Sequence, residues 1–437
     1  MPKRSGGKPK ASVVHPKMNA HLRRAVTDPR RRGGAKSKRG TFQVVIELKR
    51  SPTRRWLQSV KRGMTKQGGH FRVIRRMSAL RALSARLSLA GLRKLCCRKD
   101  VRRVHLDRKV RVSLNIATPS VGGAALQRQG LDGKGVTIAI IDTGVYPHPD
   151  LTKPTNRIVA FKDFVRGRKQ PYDDNGHGTH VAGDAAGNGF SSGGKYKGPA
   201  SAAKLVVVKA FGRDGDADSS DVVAAVDWVL RNRRKYRIRV LNMSFGSGGV
   251  SRCADDPVCR AAERAWRAGL VVVAAAGNAG PGARSIESPG ISPLLVTVGA
   301  TNDRRTVRQN DDTIAPFSGR GPVAGGRVKP DLVAPGVGIV SLRAPGSLND
   351  RGNPSDRVGK SYFRMSGTSM AVPIVSGGAA ALLQRNPKLT PNRVKRLLKR
   401  GAFRLKAAAN AQGSGELNLR FAVAKKALQL PRGRGNM

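Results

Sequence analysis

The chain has 437 residues, with 83 Lys and Arg against 27 Asp and Glu for a formal net charge of +56, four cysteines and 4% aromatic residues. That length exceeds one ordinary domain and predicts a large core with a smaller appended unit. Four cysteines with no spaced CxxC pair exclude a disulfide scaffold and a thioredoxin- or zinc-type motif, and with no run of about 18 apolar residues no membrane span is expected.

The charge is uneven. Residues 1–115 hold 34 of the basic residues and four acidic ones. Such a balance suggests a nucleic-acid or anionic partner. However, no RNA- or DNA-reading motif interleaves with it, so an Arg-rich composition is the plainer explanation and nucleic acid is not expected as a partner.

In chain order, residues 1–40 read as a disordered basic arm, rich in Lys, Arg, Gly and Pro. The arm has the charge of a signal peptide's first region without the apolar stretch that should follow. Residues 41–113 read as a small α+β unit. In it "TFQVVIELK" alternates like a half-buried strand, "SALRALSARLSLAGLRKL" carries leucines at helical spacing, and "VRRVHLD" closes as a strand.

Residues 120–430 read as a large α/β domain. The apolar runs "VTIAII", "LVVVK", "VLNMS", "LVVVAAA" and "LLVTVGA" alternate with helical segments such as "SDVVAAVDWVLRNRR", the pattern of a mostly parallel sheet covered by helices. A last helix, "TPNRVKRLLKR", has Thr390 as cap and Pro391 at its first position. Cys253 and Cys259 would close a short loop where thiols oxidise, and spacing alone leaves the pairing open. Cys96 and Cys97 read as packing residues.

Four motifs carry chemistry. Asp142, ending the first buried strand in "AIIDTGV", lies where an open parallel sheet places its ligand crevice. In "NGHGTHVAG", His177 and His180 open a helix. Without a Glu between them they do not read as an HExxH metal pair, so His177 is read as a general base and His180 as packing support. In "SGTSMAVP", Ser369 falls in the first turn of a helix, with Pro373 four residues on. A serine needs a base and an orienting group, which His177 and Asp142 supply. Asn278, in "AAAGNAG", follows another buried strand and has an amide to donate to an oxyanion.

Together with "LNMSFG", these segments resemble the subtilases, the subtilisin-like serine peptidases, in the order Asp, His, Ser. The resemblance implies a subtilisin-like three-layer α/β/α fold preceded by a small ferredoxin-like α+β prodomain. It also implies a serine endopeptidase working through an acyl-enzyme, with Asp142 as orienter, His177 as base then acid, Ser369 as nucleophile and Asn278 as oxyanion donor. Ser244 and Gly246 would contact an extended substrate by strand addition. Protein or peptide substrates are implied, with the chain's own prodomain as intramolecular inhibitor and self-cleavage between Arg111 and Val121. No metal or cofactor is required; calcium stays open, since "AAGNGFSSGGKYKGPAS" lacks the Asn-rich loop that holds it in the best-known members. Alignment puts Glu287 near the floor of the pocket for the residue before the scissile bond, with Asp216 and Asp218 beside the groove, a set that would favour cationic peptides; the alternative is that Glu287 turns to solvent and the aspartates cap a helix. A monomer is expected, extracellular by resemblance, with the missing apolar signal region pointing instead to the cytoplasm. The competing reading is a catalytically silent basic protein that binds nucleic acid or an anionic surface.

Overall fold

The computed structural model describes residues 15–27, 41–65, 71–107, 109–112, 121–304 and 306–422. The chain divides into two compact units, Met1–Arg108 and Lys109–Met437.

The first unit holds α1 (Ala20–Thr27), β1 (Thr41–Leu48), α2 (Arg54–Thr65), β2 (Phe71–Met77), β3 (Ala82–Ser88), α3 (Leu89–Cys97) and β4 (Val101–Leu106). Its sheet has the order β2-β3-β1-β4 with every neighbouring pair antiparallel, the split βαβ arrangement of ferredoxin-like folds. Two expectations are corrected here. Helix α1 lies inside the stretch read as a disordered arm, and Met18, Leu22 and Val26 are in the unit's core. The stretch Ser78–Leu95 is not one helix: a 3-10 turn and strand β3 precede α3, and only Leu89–Cys97 is α-helical. The leucine spacing misled because β3 is the inner strand between β1 and β2. A strand buried on both faces shows no alternation to set it apart from a buried helix. Cys96 is buried and Cys97 exposed.

The second unit begins with β5 (Lys109–Val112), so its boundary falls a few residues before the expected one at 113. Its main sheet is built from β6 (Thr137–Asp142), β7 (Ile158–Asp163), β8 (Lys204–Lys209), β10 (Ile238–Met243), β12 (Val271–Ala275), β13 (Val296–Asn302), β14 (Thr313–Ile314) and β15 (Leu332–Pro335). The order is β14-β13-β12-β10-β6-β8-β7 with β15 also on β13, and all pairs are parallel except β13–β14. Strands β6 and β12 are buried along their whole length, as the unbroken apolar runs require. The first strand of the sheet, β6, sits inside it between β10 and β8. The strand order therefore reverses there, which opens a crevice at the carboxyl ends.

Helices α4 (His177–Ala186), α5 (Ser219–Asn232), α6 (Pro257–Arg267), α7 (Thr368–Arg385) and α8 (Pro391–Gly401) cover the sheet, giving three α/β/α layers. In α8 the Thr390 hydroxyl accepts from Arg393 N and Pro391 opens the helix, as read from sequence. Pro373 differs: α7 starts at Thr368, so the proline stands inside the helix. Residues Thr368–Leu383 are all buried, and that packing outweighs the one backbone hydrogen bond a proline removes. Cys253 and Cys259 are joined in a disulfide.

Candidate active site

Asp142 is the last residue of β6 and His177 the first of α4; both are fully buried. His177 Nδ1 and Asp142 Oδ1 are 2.7 Å apart, and the same oxygen accepts from Thr143 N at 2.7 Å. Gly178 permits the approach of helix to strand, since a Cβ there would stand 2.2 Å from the Gly144 carbonyl oxygen and 3.1 Å from Asp142 Oδ1. Behind this pair lies a frame the motif reading missed. Thr143 Oγ1 accepts from Gly178 N at 2.8 Å and donates to Asp173 Oδ1 at 2.9 Å. Asp173 in turn accepts from Gly176 N, Thr179 N and Thr179 Oγ1, so one carboxylate takes up donors at the start of α4. Lys209, ending β8 and fully buried, reaches the Thr143 and Phe211 carbonyls and Asp174. A lysine closing the apolar run "LVVVK" was the available signal for it.

His180 is not part of this pair. Its Nδ1 is 2.9 Å from Asp184 Oδ2 and its Nε2 faces the Ile339 and Phe363 carbonyls at 3.2 Å. Burial pushes the Asp184 carboxyl above its ordinary pKa while His180 pulls it back.

Ser369 lies in the first turn of α7 and is fully buried; its hydroxyl donates to the Ser244 carbonyl at 2.9 Å. Ser244 follows β10 and is fixed from behind: Asn242 Nδ2 donates to its Oγ, and Ser376 of α7 donates to Asn242 Oδ1, both at 2.9 Å. Asn278, beyond the carboxyl end of β12, accepts at Oδ1 from Thr368 N at 2.9 Å and Thr368 Oγ1 at 3.0 Å. A backbone N–H can only donate, so the atom facing it is the oxygen and the amide NH2 is left to point elsewhere. Asp142, Ser244 and Asn278 thus stand at the same end of three adjacent strands, β6, β10 and β12. The Ser369 turn shares that edge through its bonds to Ser244 and Asn278, and its N–H groups and helix dipole favour a developing negative charge.

Beside them is a small sheet of β11 (Phe245–Gly246), β5 and β9 (Asp216–Asp218), in the order β11-β5-β9 with both pairs antiparallel. Gly246 pairs with Arg111, Arg111 with Asp216, and Lys109 with Asp218. Asp218 holds the N-cap position of α5, and its side chain makes no cap hydrogen bond. Glu287 is half-buried against Gly246 and Gly277: a Cβ on Gly246 would lie 2.3 Å from Oε2, and one on Gly277 2.4 Å from Cγ. Burial raises its carboxyl pKa, with the Asn278 backbone N–H pulling the other way. It lines a cavity of about 600 Å³ with Gly248, Val250, Ala279, Ile286 and Ile291. Among the described residues no group of three or more His, Cys, Asp or Glu is arranged to hold a metal ion.

A paired Asp and His, a serine at a helix start and an asparagine amide on one edge of a parallel sheet define the class of serine hydrolases. Residues 133–421 match the subtilase family, and the chain belongs to it. It is 44% identical over 357 residues to serine protease AprX of Bacillus subtilis, covering 80% of each chain. It is 37% identical over 303 residues to subtilisin BL of Lederbergia lenta, covering 69% of this chain and 96% of that one. Fervidolysin of Fervidobacterium pennivorans, a keratinolytic enzyme related to subtilisin, has the same fold with a TM-score of 0.68 at 22% identity. That match covers 87% of this chain and 60% of fervidolysin. The protein is accordingly a subtilisin-like serine endopeptidase, a hydrolase.

Proposed function

We propose that the chain is made as a self-processing zymogen whose triad is Asp142, His177 and Ser369, with a preference for basic residues near the scissile bond. The observation that carries this is β5, a strand of the chain itself lying between β9 and β11 in the way an extended substrate adds to two edges.

The chemistry follows from the atoms present. The Ser369 hydroxyl turns from the Ser244 carbonyl to His177 Nε2, which takes its proton as Oγ attacks the substrate carbonyl. The imidazolium formed is held and opposed by Asp142 through Nδ1. The oxyanion is met by the Ser369 N–H and the Asn278 amide. Collapse breaks the C–N bond, His177 returns the proton to the departing amine, and water repeats the two steps to free the acid and regenerate the hydroxyl. Asn278→Ala is expected to lower kcat by about 10²–10³ with KM little changed. It should also cost about 1–3 kcal/mol of stability, because Thr368 N loses its acceptor. Steady-state kinetics beside thermal melting check both.

Residues Ser113–Ser120, within the expected cleavage interval, lie outside the described residues. Strand β5 ends at Val112, which pairs with Phe245 next to Ser244, whose carbonyl holds the Ser369 hydroxyl, so the first cut falls shortly after Val112. The residues Met1 to that cut are then an inhibitory prodomain, and N-terminal sequencing of active enzyme reads the new end directly. An uncut segment in fully active enzyme overturns the zymogen reading.

Asp216 and Asp218 stand on β9 beside the groove and Glu287 stands behind Gly246, so the groove favours cationic peptides. Glu287→Gln is expected to reduce cleavage after Arg or Lys relative to Leu or Phe in a mixed peptide library. Because burial raises this carboxyl's pKa, its charge is lost earlier than that of an ordinary glutamate as pH falls. The preference of the wild type should fade in that direction, while that of Glu287→Gln stays flat. An unchanged ratio in the variant ends the idea. The Cys253–Cys259 bond favours an oxidising compartment outside the cell.

A further inference from the structure

At the opposite edge of the main sheet, the amino ends of β6, β10 and β12 surround a second cavity of about 540 Å³. Its position is set by the same three strands that carry Asp142, Ser244 and Asn278. At about 3.3 Å per residue it lies about 20 Å from the triad. Five of its lining residues are cationic: Lys134, Arg233, Arg234, Arg237 and Arg239, and none is acidic. Its floor is apolar, from Val136, Ile238, Leu270 and Leu383, all buried.

Two of the cations, Arg233 and Arg239, are held by backbone carbonyls. Arg239 donates to the Pro387 carbonyl at 2.8 Å and the Leu389 carbonyl at 3.1 Å, and Arg233 donates to the Leu230 carbonyl at 2.6 Å. Neutral acceptors orient these guanidinium groups without cancelling their charge. Burial pulls the Arg239 pKa below its ordinary value. Arg234 and Arg237 are exposed at the turn that ends α5, closed by Ile238 N to the Arg233 carbonyl and Arg237 N to the Arg234 carbonyl, with Arg237 itself at φ 52. A single-sign concavity with a low-dielectric wall concentrates the field and the counter-charge that answers it. Guanidinium groups match the paired oxygens of phosphate.

We propose that this cavity is a binding site for a small phosphate-bearing anion of two or more phosphoryl groups, either inorganic polyphosphate or a nucleotide whose base rests on the apolar floor. Its size admits one nucleotide and no duplex. Being remote from the triad, it is filled without competing with peptide.

The test uses the full chain carrying Ser369→Ala, which binds whether or not the peptidase reading holds. Isothermal calorimetry with tripolyphosphate, ATP and adenosine is run at about 0.1 M and about 1 M NaCl, where the screening length falls from about 10 Å to about 3 Å. Tripolyphosphate and ATP are expected to bind one to one and weaken with salt, and adenosine alone to give no heat. Tighter binding of ATP than of tripolyphosphate identifies the nucleotide, and equal binding identifies the phosphate chain. Adding Arg234→Gln with Arg237→Gln should weaken both by about tenfold or more. Arg396→Gln with Arg400→Gln removes the same charge from exposed positions of α8 and should change little. Equal losses from the two pairs, or no saturable binding at low salt, overturn the site.

Discussion

Ser369→Ala is expected to lower kcat by about 10⁶, some ~8 kcal/mol of transition-state stabilisation, and to leave the chain as one unprocessed species in intact-mass analysis. Without Oγ no acyl-enzyme forms, and His177 has no proton to accept. The oxyanion donors survive, because the Ser369 N–H belongs to the backbone and Asn278 is fixed by Thr368. A residual rate of about 10³–10⁴ over uncatalysed hydrolysis is therefore expected. The fold should persist, since among the described residues the lost hydroxyl makes one hydrogen bond, to the Ser244 carbonyl. Far-UV circular dichroism matched to wild type separates loss of chemistry from loss of structure. Wild type added in trace amount should cut the alanine chain near Ser113, which shows the junction to be a substrate in its own right. An alanine chain that still acquires a new end between Arg111 and Val121 when purified alone would detach processing from Ser369.

The large unit was legible because its strands are buried on both faces, so each appears as an uninterrupted apolar run with a small or chemical residue at its carboxyl end. Asp142 and Asn278 could be placed from that rule, and Ser369 and His177 from their glycine-flanked helix starts. What local pattern does not carry is contact across the chain. Asp173 acts through a Thr143 hydroxyl 30 residues upstream, and Ser244 through Asn242 and a serine on α7. The first unit was harder for a different reason. Arg72, Ile74 and Arg76 take the exposed face of β2 and α2 buries only Leu57, Val60 and Met64, so their apolar faces are short and broken by charge, and Leu22 and Val26 of α1 are covered only once the sheet exists. The disulfide was undetermined because spacing does not report the distance between two cysteines.

Asp142→Asn separates orientation from charge in the triad. Oδ1 of Asp142 receives both the Thr143 N–H and His177 Nδ1, while Oδ2 has no hydrogen-bond partner among the described residues. In the variant, the atom facing the Thr143 N–H must be the amide oxygen, since an NH2 there would oppose two donors. The amide nitrogen then takes the unpartnered Oδ2 side, and His177 keeps an acceptor for Nδ1–H. The imidazole stays oriented, but the imidazolium formed in the transition state is no longer opposed by a carboxylate in a fully buried site, where that attraction is strongest. A fall in kcat of about 10⁴ at neutral pH with KM nearly unchanged is the expected result, smaller than that of Ser369→Ala. A loss as large as the serine variant's would mean that the ring has turned away and that the carboxylate serves chiefly to hold it. A loss below about tenfold would remove Asp142 from the triad. Asp142→Ala, which deletes acceptor and charge together, should lie between Asp142→Asn and Ser369→Ala, and the gap between the asparagine and alanine variants measures orientation alone.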